Sequence, residues 1–360
     1  MNRRKFISLT GLLSTIWLPI PVKAALNSSN PVAAIPTLVS HRSDAIASVD
    51  EHPIVKVVGV GGMGTNGVDY LTQNERSGVD FICVDSDSKT VRRSIAQTKI
   101  LLDAGISTPG RAGQVYSLSE KQRRDIAGVL NGAHLVFIVA GMGGATGTGV
   151  ASEIATLARS LGALTLAVVT TPFGFEAEER NRRAAVGIAA LEQSADSVCV
   201  VPNETLFRKL DVGLGRIESV QTVNKVIMGA VADLTDSLCC PGIVNLAMVD
   251  VQRAISGMGR GAIGCALASG HDRAFTAATK ALELVRLLSP GENRPDRIII
   301  NITASSLKLK EVHDVMETIG RHASTDYFRV FGATVDPDLK GQLRVSLISF
   351  SAIGDRRQAI

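Results

Sequence analysis

The sequence predicts an α/β protein made of a Rossmann-like first domain, a long central helix and a second, smaller α/β domain. Three observations lead there. Short, β-branched, nearly uncharged runs at 54–60, 134–140 and 164–170 read as buried strands of a parallel sheet. Glycine loops follow two of these runs, and each opens a helix with an apolar stripe. A long stripe from Ile217 to Leu238 then separates this region from a second alternation of strands and helices.

Composition bounds the function. Within 360 residues, 45% are hydrophobic and 20% charged, which suits a globular protein with two ordinary cores. The net charge is +4, from 38 basic and 34 acidic residues, and aromatics are 4% of the chain. That balance argues against a nucleic-acid surface. Five cysteines, at 83, 199, 239, 240 and 265, show no CxxC spacing and read as buried free thiols rather than metal ligands.

Residues 1–25 combine Arg3, Arg4 and Lys5, an apolar run from Phe6 to Val22 and small residues at Ala24 and Ala25, which is the layout of an export signal or an anchor. The paired arginines resemble a twin-arginine signal and leave export open. As a membrane span the run is short and holds Pro19 and Pro21. Residues 26–52 lack a sustained period and read as a linker.

The first domain is expected over 53–212. Its opening strand leads into Gly61-Gly62-Met63-Gly64-Thr65-Asn66. Gly59, Gly61 and Gly64 satisfy GxGxxG, with Asp85 at the distance of a ribose-binding acid. Alone, that pattern supports a nicotinamide-dependent oxidoreductase. The richer loop Gly141-Met142-Gly143-Gly144-Ala145-Thr146-Gly147-Thr148-Gly149 argues for another ligand, because two glycine loops at strand ends suggest one polyphosphate held from two sides. The hydroxyls of Thr146 and Thr148 are expected to add donors aimed at its oxygens.

Thr108 to Gly113 reads as a turn-rich loop and Glu120 to Leu130 as an exposed helix. Glu176 and Arg180 lie one helical turn apart, and spacing alone makes them a surface ion pair. A strand at Val198–Val201 completes this sheet.

The central helix, expected over 213–240, carries Ile217, Val220, Asn224, Ile227, Val231, Leu234 and Leu238 on one stripe. An amide among apolar side chains needs a partner; a backbone carbonyl, a water or a bound base would serve. The second domain is expected over 241–353, with a short tail at 354–360. It opens on a loop with Asn245 and Asp250, then a helix to Ser256 and a glycine-rich segment from Gly257 to Gly264. A helix (276–288), a strand (298–302), a helix (309–319) and strands at 327–332 and 343–350 follow, as a sheet separate from the first.

The loop Gly141–Gly149 resembles the signature of the tubulin/FtsZ family. The likeness extends through Gly59–Gly62, Thr171–Glu176, Val201–Asn203, Asn224 and Asn301–Ala304, in order, over roughly residues 54–353. The resemblance implies a GTP-binding, head-to-tail polymerising GTPase in cell division or a membrane-associated filament. By the same likeness, Gly61, Gly62, Met63, Gly64, Asn66, Gly143, Gly144, Ala145, Thr146, Gly147 and Thr148 hold the phosphates of GTP or GDP. Glu176 and Arg180 reach the ribose side, Asn224 meets guanine, and Asn245 and Asp250 complete catalysis on a neighbour's nucleotide with Mg²⁺ offsetting charge. No protein metal ligand is implied.

Departures are specific. Ala247 stands where the family carries an acid, so slowed hydrolysis or a non-hydrolysing scaffold is expected. Val220 replaces an aromatic, Ala145 a glycine and Asp85 an asparagine, and the stretch 108–119 is shortened. Set beside the family, the chain is not expected to recruit a membrane through the usual C-terminal partner-binding peptide. The expected partner is another copy of the chain, alone or with a second FtsZ, and the apolar segment 6–22 could replace the peptide as a membrane tether on the cytoplasmic side.

Overall fold

A computed structural model describes residues 53–73, 78–103, 108–110, 113–115, 117–210, 216–289, 294–324 and 326–351. The signal-like segment and linker lie outside the described residues. The first-domain sheet is built from β1 (Val55–Val60), β2 (Val79–Asp85), β3 (Thr98–Leu101), β6 (Leu135–Gly141), β7 (Leu164–Thr171) and β8 (Ser197–Pro202). All of these strands pair in parallel. Uniform burial along β1 and nearly all of β6 and β7 explains their unbroken apolar runs, since helices cover both faces of a parallel sheet.

Four helices matter for the site or its support: α1 (Gly61–Thr72), α3 (Glu120–Leu130), α4 (Ala145–Ser160) and α5 (Glu178–Ser194). α3 matches its expected span, and Ser119 and Gln122 close a capping box at its start. The short α2 (Ser88–Arg93) is capped by the Asp87 side chain. Residues 108–110 and 113–115 differ from the expected loop: β4 (Thr108–Gly110) and β5 (Gly113–Val115) pair antiparallel as a separate two-stranded sheet.

After α6 (Asn203–Leu210) comes the central helix α7 (Arg216–Cys239). Ile227, Val231, Leu234 and Leu238 of the expected stripe are buried. Gly67 of α1 faces Met228, and a Cβ there would approach the sulfur to 2.9 Å. The second domain contains α8 (Met248–Ile255), β9 (Gly259–Ala268), α9 (Arg273–Leu288), β10 (Arg297–Ala304), α10 (Leu309–Gly320), β11 (Phe328–Val335) and β12 (Leu343–Phe350).

The expected separate second sheet is corrected. Ten strands form one sheet in the order β11-β10-β12-β9-β8-β7-β6-β1-β2-β3. The junction is short: Ser197, Val198 and Cys199 of β8 pair in parallel with Gly259, Arg260 and Gly261 of β9. β9 is the glycine-rich segment, which sequence reading left without a strand. Its glycines answer to crowding: a Cβ on Gly261 would come within 2.7 Å of the Phe350 ring, and one on Gly264 within 2.3 Å of the Ala281 carbonyl in α9.

The five cysteines are free, and all but Cys240 are buried. Burial pushes the thiols of Cys199, Cys239 and Cys265 up to about 12, so they stay protonated and inert.

Candidate functional site

β1 and β6 are parallel neighbours, and each runs directly into a helix: Val60 into α1 and, through Met142 to Gly144, Gly141 into α4. Both N-termini therefore open at the same end of the sheet. The first-turn amides of an α-helix have no intrahelical acceptors, and here neither N-cap residue, Val60 or Gly144, supplies a side-chain bond to them. The partial positive charge of two helix ends converges on one place, which suits an anion of several oxygens.

Close packing holds the two loops together. A Cβ on Gly59 would lie 2.3 Å from the Gly64 carbonyl, and one on Gly64 would lie 2.2 Å from the Val139 carbonyl. Those two glycines press α1 onto the sheet. Gly61, at φ +73°, would bring a Cβ within 3.2 Å of the Gly147 nitrogen, so the two glycine loops touch. Gly143, at φ +90°, leaves no room for a Cβ beside the Arg180 carbonyl and Pro172 Cγ, each 2.7 Å away. By contrast, a Cβ on Gly62 would meet nothing within 4 Å. That side faces open space.

The result is a cavity of about 390 Å³ with a glycine floor from Gly61, Gly62, Met63, Gly144, Ala145, Thr146 and Gly147. Its opposite wall comes from the end of β7 and beyond: Thr170, Thr171, Pro172, Phe173, Glu176, Arg180 and Asn203. Glu176 Oε1 accepts the Phe173 amide at 2.9 Å, while its Oε2 pairs with Arg180 Nη1 at 2.7 Å. The ion pair expected from spacing is present, and it borders the cavity. One carboxylate thus shapes the turn and orients the arginine.

The two threonine hydroxyls differ from expectation in what they bond. Thr148 Oγ1 accepts the Gly143 amide at 2.8 Å, across the loop. Thr146 Oγ1 lies 2.8 Å from Ser86 Oγ and donates to Asp85 Oδ1 at 3.4 Å. Asp85 is buried and also accepts the amides of Ser86 and Asp87, at 2.7 and 3.2 Å. Its carboxylate caps a turn, which works against its use as a ribose ligand.

Other expected residues are placed apart. Gly64, Gly143 and Thr148 are buried behind the cavity floor, and Asn66 is exposed on α1 without lining it. Asn224 falls in α7, and its side chain, like that of Val220, lies outside the described residues. Asn245 and Asp250 do not line the cavity. Asn245 is exposed, and its Oδ1 accepts the Gly242 amide at 2.7 Å. Asp250 is half-buried in the first turn of α8, whose N-cap, Ala247, makes no side-chain bond. The loop between α7 and α8 is tied down by backbone: Ile243 and Val244 donate to the Ala333 carbonyl, and Leu246 donates to the Ser237 carbonyl. Ile243 of this loop and Val249 in the first turn of α8 are 57% and 69% exposed, so this end of the second domain presents apolar contact surface.

Sequence reading did not include the β7 end or Asn203 among the site residues. Their signal was positional, since ligands in parallel α/β sheets bind at the carboxyl ends of adjacent strands. Among the described residues no group of three or more His, Cys, Asp or Glu side chains could hold a metal, and no helix is long and apolar enough to cross a membrane.

Comparison with known proteins agrees with this geometry. The family model described as Tubulin/FtsZ family, GTPase domain, matches residues 54–211, and that described as FtsZ family, C-terminal domain, matches 259–351. The cell division protein FtsZ of Pseudomonas putida is 35% identical over 314 residues, covering 85% of this chain and 78% of that protein. FtsZ of Coxiella burnetii is 35% identical over 299 residues, covering 82% and 78%. Among solved structures, an empty FtsZ dimer from M. jannaschii superposes with a TM-score of 0.74 at 27% identity, covering 83% of this chain and 88% of that one. CetZ from Methanosaeta thermophila shares the fold at a TM-score of 0.64 and 16% identity, covering 83% and 87%.

Proposed function

The chain belongs to the tubulin/FtsZ family, with that family's GTPase domain at 54–211, and from this premise we propose that it binds GTP and assembles head to tail. Its own residues hold the nucleotide, and a second copy completes hydrolysis. One observation carries the reading: two helix N-termini open onto a single cavity from which Asn245 and Asp250 are absent. The cavity can bind and orient phosphates, but its lining brings few groups able to direct a water. An exposed loop with a half-buried carboxylate, anchored by backbone to β11 and α7, is what a neighbouring protomer would offer.

In this scheme the amides of Gly61–Met63 and Gly144–Gly147, which line the cavity, cradle the phosphates, with Gly64 packed behind them. Arg180, held by Glu176, contacts the ribose side, and Asn203 lies on the same wall. Asn224 is assigned to the guanine. Asp250 from the next protomer orients the attacking water, with Asn245 beside it. A phosphate-bound Mg²⁺ needs only one or two protein oxygens, and Thr146, whose side chain lines the cavity, would supply one. When bound, that ion offsets phosphate charge.

Ala247 favours a second reading. At the N-cap of α8 it brings neither a cap bond nor a charge, so Asp250 acts without a second acid, hydrolysis is slowed, and the limit is a scaffold that binds GTP without turning it over. The oxidoreductase reading is set aside by the family match and by the engagement of Asp85. We assign filaments of this kind to cell division at the cytoplasmic face, tethered through the apolar segment 6–22. A mature N-terminus near Ala25, read by N-terminal sequencing, would overturn the tether.

The test is GTP turnover by the full chain across a range of protein concentrations, with sedimentation of polymer. Turnover per protomer that rises with concentration supports completion by a neighbour. Failure both to bind GTP and to form polymer would sink the proposal.

A further inference from the structure

One face of α7 carries a polar line that the apolar stripe conceals. Asp233 and Ser237 lie four residues apart, so their side chains point the same way along the helix, toward the second-domain strands, and Gly229 one turn earlier lies against Cys265 of β9. Asp233 is fully buried. Arg344 of β12 donates through Nε to its two carboxylate oxygens at 3.0 and 2.9 Å and through Nη2 to Oδ1, while Ser346 donates to Oδ2. Thr303 of β10 donates to Oδ1 at 3.4 Å. Burial alone would depress the Arg344 guanidinium, but the Asp233 charge and its hydrogen bonds outweigh that and hold it above its ordinary value.

One turn later Ser237 repeats the pattern. Its hydroxyl donates to Asn301 Oδ1 at 2.5 Å and lies 3.1 Å from Thr334 Oγ1. Gly332 of β11 permits this approach, because a Cβ there would come within 2.8 Å of Ser237 Oγ. The same turn holds the 241–250 loop: the Ser237 carbonyl accepts the Leu246 amide, and Ala333, next to Gly332 and Thr334, accepts the amides of Ile243 and Val244.

Stability is a poor explanation for such a seam. Replacing a buried ion pair by apolar residues of similar volume is often neutral or stabilising. What the ionic and hydroxyl bonds supply is register. A slide of α7 by about 1.5 Å, the rise of one residue, is enough to break each of these directional bonds.

We propose that Asp233 and Ser237 are positioning residues for GTP hydrolysis: they fix the axial register of α7 on the second-domain strands and so hold Asn245 and Asp250 in the presentation a second copy of the chain requires. This rests on the assembly reading above, and a nucleotide-free readout separates the two.

In the full chain, Asp233→Leu combined with Arg344→Met removes the buried pair and leaves only the partly exposed Asp336, 3.7 Å from Arg344, without that contact, and Ser237→Ala removes the second bond with little change of volume. Hydrogen exchange without nucleotide should show faster exchange at the amides of Ile243, Val244 and Leu246 in both variants. Wild-type exchange at those amides in the double variant overturns the proposal, whether or not the protein hydrolyses GTP. With GTP, assembly-dependent kcat should fall on the order of tenfold to a hundredfold while the KM for GTP stays unchanged. Wild-type kcat at equal polymer mass, or a loss confined to GTP affinity, also overturns it.

Discussion

The Gly143 amide donates to Thr148 Oγ1 at 2.8 Å, tying the glycine loop to the first turn of α4. The bond keeps the loop curled over the helix N-terminus while leaving the hydroxyl proton of Thr148 for another acceptor. Thr148→Val keeps the shape and leaves a buried N–H unpaired, so a loss of about 1–3 kcal/mol is expected. Thr148→Ser should retain both stability and GTP affinity. Thermal melts and nucleotide titration check this; equal stability of the valine and serine variants would count against the bond.

Arg180 separates two roles that one ion pair could have. The pair with Glu176 is half-exposed at the arginine, so Arg180→Ala should change stability by no more than about 0.5 kcal/mol. GTP affinity should fall on the order of tenfold, since a charged donor beside the cavity is lost. Unchanged affinity would return the pair to a purely surface role.

Asp250 and Ala247 are best tested together. Asp250→Ala should leave GTP binding intact and abolish the rise of turnover with protein concentration. Ala247→Asp should act twice: an N-cap aspartate on α8 adds about 1 kcal/mol of stability, and a second acid on the presented loop raises turnover. A gain in stability with no gain in turnover would show that the loop needs only Asp250.

Arg273 and Glu311 give a pH prediction. Arg273 Nε and Nη2 meet the two Glu311 carboxylate oxygens at 2.7 and 3.0 Å, joining the starts of α9 and α10. The hydrogen bonds from Arg273 hold the Glu311 carboxyl below its ordinary 4.5, against burial, which raises it. A carboxyl lowered by folding stabilises fully above its unfolded value and loses that contribution as the pH falls through its folded value. Glu311→Gln should therefore lower the Tm at pH 7, with the gap to wild type closing as the pH falls below about 4.5. A gap that does not change with pH would contradict this.

Local pattern was a good guide where burial was uniform. The strands before both glycine loops, the helix Glu120–Leu130 and the strand Leu343–Phe350 emerged nearly as expected, because covered parallel strands need unbroken apolar runs and exposed helices need caps. The glycine-rich start of β9 was illegible. Its glycines answer to Phe350 and to the Ala281 carbonyl, groups far away in the chain. Asp233 escaped notice for the same reason, since an isolated acid on a helix reads as solvent-facing until its partner on β12 is known.

The sequence by itself determined that two glycine loops join parallel strands to helices and that this chain belongs with the tubulin/FtsZ proteins. Both facts reside in short segments, in which spacing and backbone freedom decide the structure. Only the tertiary structure decided that the two sheets join through Ser197–Cys199 and Gly259–Gly261, that Thr148 braces its own loop, and that Asp233 locks the central helix to β12. Each depends on two segments meeting at hydrogen-bond distance. That meeting is set by packing of the whole chain, which no local period encodes.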